Sequence, residues 1–126
     1  MLPGKKYSEG RIAAASLQAF VNIANKWNLS ENEKCSLIGL SIESFNLHEN
    51  DTNLSLDDDV IQRISHLIGI YKALHRLLPS EDAANTWMHQ VNNASLFNGN
   101  SALDQLLSGN LTDFAKLRQY LDAENQ

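Results

Sequence analysis

Cysteine is almost missing from this chain of 126 residues. The lone Cys35 can form neither an internal disulfide nor a multi-thiol metal site, so nothing points to an oxidising compartment, and the residue reads as a small core side chain. Long apolar runs are absent too. None approaches the roughly 18 residues of a membrane span, and Lys5 and Lys6 precede a polar, Ala-rich segment rather than the apolar core of a secretion signal. A cytoplasmic location and no membrane partner are expected. Glycine is sparse. The few glycines fall at helix ends and turns, or singly at Gly69, and form no phosphate loop, dinucleotide fingerprint or nucleophile elbow.

The histidines His48, His66, His75 and His89 make no HExxH pair and no Cys/His cluster. Asp51, Asn53 and Ser55 imitate the start of a calcium loop, but Leu56 stands where glycine is needed and Gln62 where the terminal glutamate belongs. No metal, no cofactor and no catalytic residue is therefore assigned, and an enzyme is not expected. Alternating strand-like patterns, internal repeats and flexible linkers are lacking as well, which leaves an all-α chain.

What is present is a series of capped helices. Ser8 is placed to cap a first helix with Ile12, Ala13, Leu17, Phe20, Ile23, Ala24 and Trp27 on one face. Ser30 and Glu33 form a capping box for a short second helix through Leu37 and Ile38. Gly39-Leu40-Ser41 then turns the chain into a third helix containing Ile42, Phe45 and Leu47, the outline of a helix-turn-helix. Residues 49 to 56 read as a loop. Asp57, Asp58 and Asp59 favour the start of the longest helix, whose stripe Val60, Ile64, Leu67, Tyr71, Leu74 and Leu78 serves either a core or a self-association seam before Pro79 stops it. Ser80 caps the next helix. An aperiodic, Asn-rich loop spans Val91 to Asn100, and Ser101-Ala102-Leu103-Asp104 opens a helix that Gly109 can end. A final helix from about Leu111 buries Phe114, Leu117 and Leu121. Five Asn-X-Ser/Thr triplets, at Asn28, Asn50, Asn53, Asn93 and Asn110, read as cap and turn chemistry.

Charge is unevenly spread within a net −5. Between Cys35 and Gln62 there is no Lys or Arg, while Glu43, Glu49, Asp51, Asp57, Asp58 and Asp59 are acidic. Reading DNA normally requires phosphate contacts, so the helix-turn-helix outline and the electrostatics disagree. A DNA-binding reading would use Ser41, Ser44, Asn46 and His48 on base edges, with Lys34 and its basic neighbours Lys5, Lys6, Arg11 and Lys26 on the backbone. The stretch from residue 81 to 126 carries Glu81, Asp82, Asp104, Asp113, Asp122 and Glu124 against Lys116 and Arg118, and should repel phosphate at long range.

Two ordered sets of residues resemble one family. Trp27-Asn28-Leu29-Ser30, Leu37-Ile38-Gly39-Leu40-Ser41, Arg63-Ile64-Ser65 and Ile68 to Leu74 resemble the N-terminal helical part of the Xre/MbcA/ParS antitoxins. Trp87, Asn92, Phe97-Asn98-Gly99, Ser101 to Asp104, Leu107, Gly109 and Leu117 to Ala123 resemble that family's toxin-binding domain. Many members carry proline before the loop asparagine and after the serine, where this chain has Val91 and Ala102. The resemblance implies an Xre-like helix-turn-helix region at residues 1–55, a long central helix at 56–79 and a small toxin-binding domain at 80–126. It also implies a cognate toxin as partner, often a RES-domain enzyme that degrades NAD, and for some members repression of their own operon through operator DNA. A homodimer, and a hetero-oligomer with the toxin, are expected. The residues expected to meet the toxin are Trp87, Asn92, Phe97, Asn98, Gly99, Arg118 and Tyr120. Residues such as Trp87 and Phe97 are more often core than interface, and ones such as Asn92 and Gly99 more often build a loop than touch a partner. Arg118 and Tyr120 sit two apart on one helix and must point to different faces. The alternative is an Xre-type transcriptional repressor with no toxin partner.

Overall fold

The computed structural model describes residues 10–51, 55–108 and 110–125. These form α1 (Gly10–Lys26), α2 (Glu31–Ile38), α3 (Ile42–Asn50), α4 (Asp58–Leu77), α5 (Glu81–Trp87), a 3-10 turn (Ser95–Phe97), α6 (Ala102–Ser108) and α7 (Leu111–Glu124). No strand occurs among the described residues, as the sequence pattern requires. The caps expected at Ser8 and Gly109 lie outside the described residues.

Local chemistry explains most of the element ends. Ser30 Oγ accepts from the Glu33 N–H at 3.1 Å while Glu33 Oε1 accepts from the Ser30 N–H at 2.8 Å, completing the capping box of α2. Gly39, at φ 77°, ends α2 in the left-handed region that a side chain would disfavour, and Ser41 Oγ accepts from the Ser44 N–H to start α3. Three of the five asparagine triplets do turn and cap work: Asn28 turns the chain at φ 56° after α1, Asn50 Nδ2 donates to the Asn46 carbonyl at the end of α3, and Asn110 caps α7, whereas Asn93 is exposed without such a role. Asn53 lies outside the described residues.

Helix α4 is the axis of the molecule. Its 20 residues span about 30 Å, and α7 and α1 pack along it, with α5 and α2 making smaller contacts. The stripe on α4 is consumed inside the chain: Val60, Ile64, Leu67 and Leu74 are buried, and Tyr71 and Leu78 partly so. The largest fully buried side chains, among them Trp27, Phe20, Phe97 and Phe114, join one continuous cluster that runs from α1 to α7. Each such burial contributes roughly 1.5–3 kcal/mol relative to exposure. Cys35 belongs to this cluster, and burial raises its thiol pKa and keeps it protonated.

Polar contacts fasten the ends. Lys26 Nζ and Glu81 Oε1 pair at 2.9 Å between α1 and α5, His89 Nε2 meets the Trp27 carbonyl at 2.5 Å, and Asn125 Nδ2 donates to the Ala73 carbonyl of α4 at 3.2 Å. Arg63 on α4 pairs with Asp59 at 2.9 Å and lays its guanidinium over the Phe114 ring of α7, 5.1 Å from the centroid.

Candidate partner-binding site

The aperiodic stretch after α5 is held in one conformation by its own backbone. Val91 and Ser101 form a single antiparallel bridge, the Asn92 N–H donates to the Asn100 carbonyl at 3.2 Å, and the Leu103 N–H donates to the Met88 carbonyl at 3.0 Å. These bonds close the loop at its base without the prolines found elsewhere in the resemblance. Inside it, Asn92 Oδ1 accepts from the Ala94 N–H at 2.8 Å and launches the 3-10 turn. Asn98 at φ 52° and Gly99 at φ 83° then reverse the chain through two consecutive left-handed residues, and the Asn100 N–H returns to the Phe97 carbonyl at 2.9 Å. A Cβ on Gly99 would meet nothing within 4 Å, so its backbone angle, not crowding, is what calls for glycine there.

Ser101 seals the far end. It is a buried polar residue, and its Oγ accepts from the Asp104 N–H at 3.1 Å to cap α6. The connection to α7 is fixed by a second full capping box, in which Asp113 Oδ2 accepts from the Asn110 N–H at 2.9 Å and Asn110 Oδ1 accepts from the Thr112 N–H at 3.2 Å. Gln105 Nε2 reaches Asp113 Oδ1 at 3.3 Å and joins α6 to α7.

Three of the expected toxin contacts form a single aromatic unit. Phe97 is fully buried with its ring edge-on to Trp87, 5.8 Å between centroids at 79°, and to Tyr120, 5.6 Å at 88°. Phe97 is thus a core residue, while Trp87 and Tyr120 are half-buried around it and show an edge to solvent. Asn92 is half-buried and spent on the turn; Asn98 and Gly99 are exposed at the tip. The exposed parts of this unit are therefore Trp87 and Tyr120 in part, the Asn98-Gly99 tip and the strongly exposed Val91, and α6 and α7 add exposed Asp104, Asp122 and Glu124. Sequence reasoning missed Val91, which belongs to no periodic pattern and is apolar yet 70% exposed.

Arg118 is placed elsewhere. It points away from Tyr120, as their spacing demands, and its guanidinium lies across Gly69 of α4 so closely that a Cβ there would stand 2.4 Å from Nε. His66, on the same stretch of α4, has its pKa lowered by burial and by the charge of Arg118, so its neutral form is favoured.

The residues expected to touch DNA behave differently. Ser41 is occupied in capping α3, and both ring nitrogens of His48 face backbone carbonyls, Ser44 O at 2.7 Å and Ser55 O at 3.0 Å. Lys34 Nζ sits over the Phe45 ring, 5.8 Å from the centroid. Ser44 is half-buried, leaving Asn46 as the exposed polar side chain of the set on α3, beside exposed Glu43, Glu49, Ile42 and Leu47. Among the described residues no group of His, Cys, Asp or Glu is arranged to hold a metal ion, and no helix is long and apolar enough to cross a membrane.

A hydrogen-bonded loop between short helices, with partly exposed aromatic rings beside it, is the kind of surface on which helical proteins commonly bind partners. Comparison with known proteins supplies the family. Residues 73–126 match the antitoxin Xre/MbcA/ParS C-terminal toxin-binding domain. The uncharacterized protein y4oB of Sinorhizobium fredii (strain NBRC 101917 / NGR234) is 36% identical over 117 residues, covering 93% of this chain and 89% of that protein. Residues 73–126 thus carry the Xre/MbcA/ParS antitoxin toxin-binding domain, and the chain as a whole is a relative of y4oB.

Proposed function

We propose that this chain is the antitoxin of a toxin–antitoxin pair and that it neutralises its toxin by seating the α5–α7 unit across the toxin's active cleft. The observation that carries the reading is the match of residues 73–126 to the toxin-binding domain, over a loop whose geometry is fixed in advance. A preformed loop avoids the ordering cost of a flexible one on binding. The Trp87 and Tyr120 edges, braced by Phe97, are the anchors, and Asn98-Gly99 is the tip that enters the cleft. Asp104, Asp122 and Glu124 border it with negative charge suited to a basic nucleotide pocket, which speeds and orients encounter more than it sets affinity. A RES-domain enzyme that degrades NAD is the first candidate for the toxin, and a dimer of this chain would present two such units.

The experiment is co-expression with the product of the adjacent open reading frame. Growth restored by this chain, with the two proteins copurifying, is the expected result. Arrest that persists without copurification overturns the proposal. Within the complex, Trp87→Ala and Tyr120→Ala should each weaken binding by tenfold or more, as anchors of about 2 kcal/mol do.

The second reading, a repressor without a toxin partner, draws little support from α2 and α3. Two of its base-reading candidates, Ser41 and His48, are committed to backbone groups, and the helix around them is acidic and partly apolar. Operator binding is better sought in the complex, with affinity that falls steeply with salt if it is specific to phosphates.

A further inference from the structure

A cleft of about 390 Å³ runs along α4, lined by Ser16 of α1, Ile61, Ile64, Ser65, Ile68, Gly69 and Lys72 of α4, and Arg118 of α7. Most of the lining comes from α4, with one residue each from α1 and α7. We propose that this cleft is a binding site for a phosphate monoester carried on a small apolar group.

Four features favour that ligand. First, Arg118 and Lys72 bring two positive charges to one cleft in a chain of net charge −5, and neither forms an ion pair or hydrogen bond among the described residues. Asp122, one turn further along α7, is not paired with Arg118. Lys26 and Arg63, by contrast, pair with Glu81 and Asp59. Second, Ser16 and Ser65 line the same cleft, so a guanidinium, an ammonium and two hydroxyl side chains together match a terminal phosphate with several acceptor oxygens better than a single carboxylate. Third, Ile61, Ile64 and Ile68 give one wall an apolar surface, which suits the organic part of an ester rather than a free inorganic ion.

The fourth is the way Arg118 is set. A Cβ on residue 69 would lie 2.4 Å from Nε, 2.5 Å from Cζ and 2.9 Å from Nη2, so only glycine lets the guanidinium lie against the α4 backbone at the cleft's edge. Gly69 otherwise weakens the middle of a long helix. The uncompensated charge is felt by His66, which it disfavours from protonating.

The test is titration of the full chain at low salt with phenyl phosphate and, separately, with inorganic phosphate, followed by amide shifts in NMR and by calorimetry. The expected result is saturable binding of phenyl phosphate that perturbs Ser65, Gly69 and Lys72. Inorganic phosphate should bind about tenfold more weakly, because it leaves the isoleucine wall uncovered. Arg118→Gln should weaken phenyl phosphate binding by tenfold or more, and Lys72→Gln by less. Gly69→Ala should also weaken it, because the new methyl displaces a flexible guanidinium while the helix itself gains propensity and folds. Absence of saturable binding overturns the proposal. So does binding that Arg118→Gln leaves unchanged, or shifts confined to Lys116 and the chain ends. If neither toxin nor DNA binding is ever found, this result is unaffected, since it is read on the isolated chain.

Discussion

The α2–α3 pair and the α5–α7 unit are built with the same devices and expose opposite things. Both start their helices with serine hydroxyls, both reverse the chain through left-handed residues, and both pin their ends with short polar contacts. In the first pair the polar side chains that could read a partner are used up internally: Ser41 caps, and His48 bridges two carbonyls. In the second unit, Ser101 and Asn92 absorb the internal demand, and this frees the Trp87 and Tyr120 edges and the Asn98-Gly99 tip. A motif made of capping residues thus predicts a turn well and a binding surface poorly.

The largest effect should come from Phe97→Ala. Removing a fully buried ring that braces Trp87 and Tyr120 should cost about 3–5 kcal/mol in chemical denaturation and abolish copurification with the toxin. A small loss would mean that the aromatic unit does not organise the loop.

Next come two serines with the same role. Ser101→Ala, at a buried cap, should cost about 2 kcal/mol, whereas Ser41→Ala, at an exposed cap, should cost about 0.5–1 kcal/mol. Equal costs would erase the distinction between the two regions. At the loop tip, Asn98→Ala should destabilise by about 1 kcal/mol because φ is 52°, while Asn98→Gly should be nearly neutral. Identical thermal shifts for the pair would show that this turn relaxes.

The smallest effect concerns pH. His66 has a lowered pKa in the folded chain, so between that value and the ordinary 6.5 the unfolded chain binds the extra proton. Stability should therefore fall as pH drops below about 6.5 and level off below the folded-state value. His66→Gln should flatten that part of the melting-temperature profile, and an unchanged slope would assign it to other groups.

Much of this molecule was legible in its amino-acid order because capping is local. Ser30 with Glu33, Ser41, Ser80 and Ser101 all sit where their spacing from the next apolar run places them. The stripe on α4 was legible as an apolar face, but periodicity alone could not say whether it closed on this chain or on a second copy. The 3-10 turn at Ser95–Phe97 escaped notice because three residues carry no period. Arg118 over Gly69 was out of reach for a different reason: the two are far apart in sequence, and nothing in either neighbourhood announces the other. The residues expected to meet a toxin were read from family resemblance, and the structure sorts them by burial, with Phe97 inside and Trp87, Asn98 and Tyr120 reaching the surface.

The packing of α7 on α4 sets the smallest piece of this protein that can be handled alone. The family match begins at Ala73, inside α4, yet Phe114, Leu117 and Leu121 bury themselves against a helix that begins at Asp58. A fragment cut at the match boundary would carry those side chains bare into water and would aggregate rather than fold. The C-terminal unit is therefore not a detachable cassette, and any graft that transplants it must bring the preceding helix along.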